Sequence, residues 1–219
     1  MQAEKEKESI MGRYNGPGCR QCRREGVKLM LKGKRCTMAK CPIETGRASP
    51  GVHGQRRGKK LSDYGVQLRE KQKLRRMYGM QEGQFRLFFD RAQRSKGVTG
   101  DKLLQLLEMR LDNIIYRLGF SFSRKSARQF VTHRHIKING RIVNIPSMGV
   151  KPGSVIEVKD NPKSRAHASQ SLEASQARVV PGWMSIDAAN FKGEVLKVPT
   201  REEIAPIVNE QLIVELYSK

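Results

Sequence analysis

Between residues 12 and 60 the chain is rich in Gly, Lys and Arg, and its only apolar cluster is Val27-Lys28-Leu29-Met30-Leu31. A segment this poor in apolar side chains buries too little surface to offset its chain entropy. It has to be ordered by a staple, by a charged partner, or by both. The same segment holds all four cysteines of the chain. Cys19 and Cys22 are separated by two residues; thirteen residues further on come Cys36 and Cys41, separated by four. Two close thiol pairs joined by a loop suit tetrahedral coordination, each pair supplying two ligands. The expectation is one structural metal held by Cys19, Cys22, Cys36 and Cys41. Zinc is the default, and the spacing leaves an iron–sulfur cluster open. With all four positions filled by Cys, no coordination site remains for a reactive water. The flanking Lys and Arg are expected to lower the thiol pKa values. His53 is a spare candidate ligand, but a lone His in a Gly/Arg loop is more simply an RNA contact or solvated. The bland alternative is four reduced thiols in a floppy basic arm.

Charge narrows the partner. The 219 residues include 43 Lys and Arg against 21 Asp and Glu, a formal net charge of +22. A compact chain with that charge repels itself, and an anionic partner relieves the repulsion. Nucleic acid leads, and an anionic membrane surface is second. The charge is uneven: residues 11–78 carry 19 cations and 4 carboxylates, whereas 181–219 carry 4 and 6. The basic third is the electrostatic footprint and the tail a near-neutral structural piece. Residues 1–10 alternate Glu and Lys and read as an extension, with Met11 a second candidate start. Neither a signal peptide nor an apolar run of membrane-spanning length is legible, so a cytoplasmic setting with reduced thiols is expected.

Helical spacing dominates the first half. A helix over 62–78 starts at Ser62 and stops at Gly79, with Tyr64, Leu68, Leu74, Met77 and Tyr78 sharing a face. A second, over 81–96, places Phe85, Phe88, Phe89 and Ala92 at i, i+3, i+4 and i+7, a stripe that is more often core than a base-stacking platform. A third, over 100–118, carries Leu103, Leu107, Leu111, Ile114 and Leu118, with Thr99 able to cap its start. A short basic helix follows over 123–131. Ile136-Lys137-Ile138 and Arg141-Ile142-Val143 then read as strands joined by Asn139-Gly140, the dipeptide that a type I′ hairpin turn requires. A turn at Lys151-Pro152-Gly153 leads to a strand over 155–158. Residues 160–180 read as a surface helix or linker, and 194–198 as a strand. Thr200-Arg201-Glu202-Glu203 fits a capping box, and 212–217 reads as a terminal apolar strand. Helices followed by short strands make the fold class α+β.

Cations at the start of the 123–131 helix and on the hairpin suit recognition of RNA backbone and shape. The candidate RNA-contacting residues are Arg23, Arg24, Arg56, Arg57 and Lys59 in the arm. On the 62–78 helix they are Arg69, Lys71, Lys73, Arg75 and Arg76. Beyond it they are Arg124, Lys125, Arg128, Lys137, Asn139 and Arg141. No nucleophile–base arrangement and no Gly-rich phosphate loop is legible, so the chain reads as a binding protein and not an enzyme.

Three stretches carry a family resemblance: 110–120 (RLDNIIYRLGF), 123–131 (SRKSARQFV) and 138–146 (INGRIVNIP). So do 11–14 (MGRY) with Cys19 and Cys22, 61–73 (LSDYGVQLREKQK) and 212–219 (LIVELYSK). Together they resemble bacterial small-subunit ribosomal protein four, over essentially residues 11–219. The match leaves 1–10 as an extension, and the residues themselves make 11–60 a basic arm with a four-Cys metal knuckle. The resemblance implies a helical domain from 61–104 plus 176–219, with a small RNA-binding module inserted at 105–175. It further implies a structural protein that binds small-subunit ribosomal RNA early in assembly of the subunit body. Its implied neighbours are ribosomal protein five and messenger RNA where the message enters, with an effect on accuracy; no membrane partner is implied. Some relatives repress their own operon, and some lack the cysteines. Pseudouridine synthases and tyrosyl-tRNA synthetases share a similar module, but their catalytic domains have no counterpart here. A zinc-ribbon transcription factor fits the cysteines without the module, and a free-standing RNA chaperone is the nearest competing reading.

Overall fold

The computed structural model describes residues 14–52, 54, 60–175, 179–204 and 208–218. The extension, Met11, His53, Arg56, Arg57 and Lys59 lie outside the described residues. The arm begins with helix α1 (Gly18–Glu25), which Gly26 ends in the left-handed region. A 3-10 turn follows at Gly33–Cys36. Cys22, Leu29 and Leu31 form its small buried cluster, with Val27 and Ile43 against them.

Helix α2 (Asp63–Met77) starts where the capping chemistry dictates: the Ser62 hydroxyl accepts the Gly65 N–H at 3.3 Å. Its buried face differs from the expected one. Gln67, Lys71, Leu74 and Met77 are buried, and Tyr64 is exposed. In helix α3 (Glu82–Arg94) the aromatic stripe is core: Phe85 and Phe89 are buried, and Phe88 is partly so.

The helix expected over 100–118 is two helices, α4 (Thr99–Glu108) and α5 (Leu111–Arg117). The chain breaks because backbone groups at the junction pair with a loop far along the sequence. Leu111 N–H donates to Met148 C=O, Asp112 N–H to Pro146 C=O, and Val150 N–H to Met109 C=O, all within 3.0 Å. Thr99 is the first helical residue and not the cap; Val98 holds the cap position.

Helix α6 (Arg124–Thr132) leads into strands β1 (Ile136–Ile138), β2 (Arg141–Val143) and β3 (Val155–Val158). Asn139 and Gly140 have φ of 47° and 77°, as the type I′ turn demands. Of the surface helix or linker expected over 160–180, the helix forms as α7 (Pro162–Ser175), but one of its faces is buried. Its Ser164, Ala168, Ser171 and Ser175 are buried, small side chains that allow close approach. Strands β4 (Met184–Asp187) and β5 (Lys192–Val195) complete a five-stranded antiparallel sheet of order β2-β1-β3-β5-β4. Strand β4 has no counterpart in the sequence reading, and β5 lies two residues earlier than the strand read at 194–198.

Two large cores result. One runs from Met109 to Val195 and packs the sheet against α5, α6 and α7. The other joins Leu74 through Leu107 to Ile204, Val208 and Ile213. Strands β4 and β5 therefore belong with the sheet, although the resemblance assigned 176–219 wholly to the helical unit. The tail ends in helix α8 (Glu210–Tyr217), not the expected strand. Ile213 is buried and Val214 and Tyr217 pack on the same core, a helical spacing that the unbroken apolar run concealed. The Thr200–Glu203 pair makes its hydrogen bond, Thr200 N–H to Glu203 Oε2 at 2.9 Å, but caps a turn and no helix.

Candidate nucleic-acid interface

The joint between the two cores is polar and closed. The Glu108 carboxylate, 1% exposed, accepts from Tyr78 Oη at 2.5 Å, Asn113 Nδ2 at 2.6 Å and Arg117 Nη2 at 2.7 Å. Burial alone would raise this carboxyl, but Arg117, Arg124 and the hydrogen bonds hold it below the usual carboxylate range. The Tyr78 hydroxyl is pushed well above its usual pKa by burial, with Glu108 adding to the effect. Above this network lies Arg124, at the first turn of α6. The Ser123 hydroxyl caps that helix by accepting the Ser126 N–H. The Arg124 guanidinium lies 4.8 Å from the Tyr78 ring centroid and 4.6 Å from that of Tyr116, and Nε donates to Asn113 Oδ1 at 2.8 Å. Cation–π contact with two rings fixes an arginine head without consuming all its donors.

From Arg124 a groove of about 900 Å³ opens between the arm, the C-terminal end of α2 and α6. Arg20 and Arg24 line it from α1, Arg75 and Arg76 from α2, and Arg124, Lys125 and Arg128 from α6; the carboxylates there are Glu82 and Asp112. Lys125 Nζ donates to the Tyr14 carbonyl at 3.1 Å and lies over the Tyr14 ring, tying arm to module. Arg128 is 3.5 Å from Asp112. A second hollow continues along α6 past Gln129, Thr132 and His133. Gly33 also ties arm to module: with φ of +66°, a Cβ there would lie 2.8 Å from the Phe122 carbonyl.

The candidates from sequence divide sharply. The α2 cations are mostly neutralised at home. Arg69 and Arg76 pair with Glu25, Lys71 with Glu82 at 2.5 Å, Lys73 with Glu70, and Arg75 with Gln72 and Glu82. Lys71 is 8% exposed. Arg23 turns back onto the arm, donating to Ala48 C=O at 2.9 Å, whereas Arg24 is exposed in the groove. Lys137, Asn139 and Arg141 lie on the hairpin and are not among the groove-lining residues. Asn139 Oδ1 accepts the Val155 N–H at 2.9 Å, so this side chain helps hold the turn. Arg20 escapes the sequence reading, although its place inside the first cysteine pair could have pointed to it.

The four thiols line one small cavity with Lys28, Lys32 and Arg35; Cys22, Cys36 and Cys41 are buried and Cys19 partly so. The expected lowering by neighbouring cations is overturned at two of them. Burial pushes the Cys22 and Cys36 thiols up, and the nearby thiols add to it. Among the described residues no group of three or more His, Cys, Asp or Glu is placed to hold a metal ion.

An α+β chain of net charge +22 with a groove lined by seven cations has the features of proteins that bind a polyanion. Two family models match in tandem: the ribosomal protein S4/S9 N-terminal domain over residues 13–108 and the S4 domain over residues 109–156. Among curated relatives, small ribosomal subunit protein uS4 of Acidithiobacillus ferrooxidans is 53% identical. Those of Thermus thermophilus and Geotalea daltonii are 54% and 56% identical. Each alignment covers 95% of this chain and 100% of the relative. The chain belongs to the small ribosomal subunit protein uS4 family.

Proposed function

We propose that this protein is a structural component of the cytoplasmic small ribosomal subunit and binds small-subunit ribosomal RNA directly through the groove beside Arg124. The observation that carries this is the groove's charge: seven Lys or Arg side chains line it against two carboxylates, and even with Arg75, Arg76 and Arg128 paired to Glu82, Glu25 and Asp112 the lining stays cationic, beside a buried joint that fixes one of the arginines. Phosphate contacts of this kind position a protein on RNA, and base or shape contacts then specify. The membership in the uS4 family supports the ribosomal setting. Early binding that nucleates the subunit body, contact with ribosomal protein five, nearness to entering messenger RNA and an influence on accuracy belong to the same reading. Among the described residues no helix is long and apolar enough to cross a membrane.

The arm's four thiols supply a second element of the proposal. Cys19, Cys22, Cys36 and Cys41 would hold one structural metal, zinc by donor chemistry or an iron–sulfur cluster, whose role would be to staple a segment with almost no core. All four thiols border one cavity, but among the described residues no three are placed to hold an ion, so the donor set rests on thiol chemistry and sequence spacing.

Filter binding to a small-subunit ribosomal RNA transcript and to poly(U), at one fixed salt concentration, tests the RNA reading. Tight binding to the transcript with weaker binding to poly(U) is expected; equal affinities would leave only a non-specific polyanion binder. Elemental analysis of the same preparation should find about one zinc per chain, or iron with its visible absorption.

A further inference from the structure

Glu25 is the last residue of α1, and its side chain is fully buried, 0% exposed. Both of its ion-pair partners, Arg69 and Arg76, stand on α2 two turns apart and so on one face. One carboxylate oxygen is engaged, while Oε2 has no hydrogen-bond partner. This is an unusual place for an acid. It removes one charge from the most basic part of a protein that we read as binding a polyanion. For attraction of a polyanion, electrostatics disfavours an acid there.

The geometry gives it a use. The arm is fastened to the module by Lys125 on the Tyr14 carbonyl and by Gly33 and Lys34 against Phe122. Among the described residues its ion pairs to the helical unit go through Glu25. We propose that Glu25 is a positioning residue for RNA binding: it clamps α1 onto α2 so that Arg20 and Arg24 face Arg124 and Arg128 across one groove. The inference rests on the reading of that groove as the RNA face.

The clamp and the field make opposite predictions for Glu25→Gln, which raises the net charge by one. A purely electrostatic residue would give tighter binding to every RNA on removal. A clamp gives roughly 2- to 30-fold weaker binding to the small-subunit ribosomal RNA transcript, with binding to poly(U) unchanged or slightly tighter. Glu25→Asp, which keeps the charge and shortens the reach, should recover part of the loss. In an Arg69→Gln/Arg76→Gln background the clamp is already open, and Glu25→Gln should then cost nothing further. Hydrogen exchange on the same variants locates the change. Faster exchange in 18–25 with unchanged protection in α3 and α4 marks a released arm, whereas loss of protection in α3 and α4 would reduce Glu25 to a fold residue. Transcript binding by Glu25→Gln equal to or tighter than wild type would overturn the clamp. A wild-type protein that does not prefer the transcript to poly(U) would instead remove the RNA reading beneath it.

Discussion

Glu108 shows how one buried charge joins two units. Its carboxylate takes hydrogen bonds from Tyr78 on the helical side and from Asn113 and Arg117 on the sheet side. Glu108→Gln keeps the shape but leaves Arg117 beside a neutral amide. Breaking one side of a buried pair costs about 3 kcal/mol, less here to the extent that Arg117 is 27% exposed. The pH dependence has a definite sign. The Glu108 carboxyl sits below its ordinary value in the fold, so its contribution is fully present above the unfolded value and is lost as pH falls through the folded one. Glu82, held low by Lys71 and Tyr217 against its own burial, behaves alike. Urea midpoints followed downward from about pH 6 should therefore fall less steeply in Glu108→Gln than in the native chain. Parallel slopes would mean that Glu108 is already protonated or unpaired in the folded state.

The elements differ in how far sequence foretells them, and the difference tracks the distance over which each is decided. The hairpin is legible because Asn139-Gly140 settles its own backbone at φ 47° and 77°. Helix α2 is legible because Ser62 caps within three residues. The break at Met109 and Arg110 is not, since it is made by hydrogen bonds to 146–150 and the leucine period runs across it undisturbed. The buried face of α7 is written in Ser and Ala, which carry no periodic hydrophobic signal. In the tail, Leu212 to Tyr217 is apolar enough to satisfy either period, and packing against the α3 aromatics decides for helix: the Tyr217 ring stacks on Phe89 at 4.5 Å. That packing is testable. Ile213 is completely buried, and Ile213→Ala should destabilise the helical unit by about 2–4 kcal/mol. Hydrogen exchange should show α2, α4 and α8 opening earlier while β1, β3 and β5 keep their protection. Uniform loss across the sheet would show that the two cores unfold as one.

At the scale of the whole molecule the question is which positive charges remain for a partner. Residue type announces the cations, but their partners lie far along the chain: Arg69 and Arg76 meet Glu25 at separations of 44 and 51 residues. The basic third is consequently less available than its composition suggests, and a Gln scan along α2 removes charges already matched by carboxylates. Arg20 and Arg24 are exposed and line the groove. The comparison to make is between two double variants with the same change in net charge. Arg20→Gln/Arg24→Gln removes two groove cations; Arg69→Gln/Lys73→Gln removes two paired ones and leaves Arg76 on Glu25. For every phosphate that a cation no longer neutralises, the slope of log affinity against log salt falls by roughly 0.7–0.9. The first pair should therefore flatten the slope by about 1.4–1.8 and weaken binding to transcript and poly(U) alike. The second should leave the slope near the native value and act on stability, lowering the urea midpoint, because Glu70 loses its cation and keeps only the Asn209 N–H. Equal flattening by the two pairs would mean that RNA pulls the α2 cations off their carboxylates on binding, and that the unbound pairing does not define the interface.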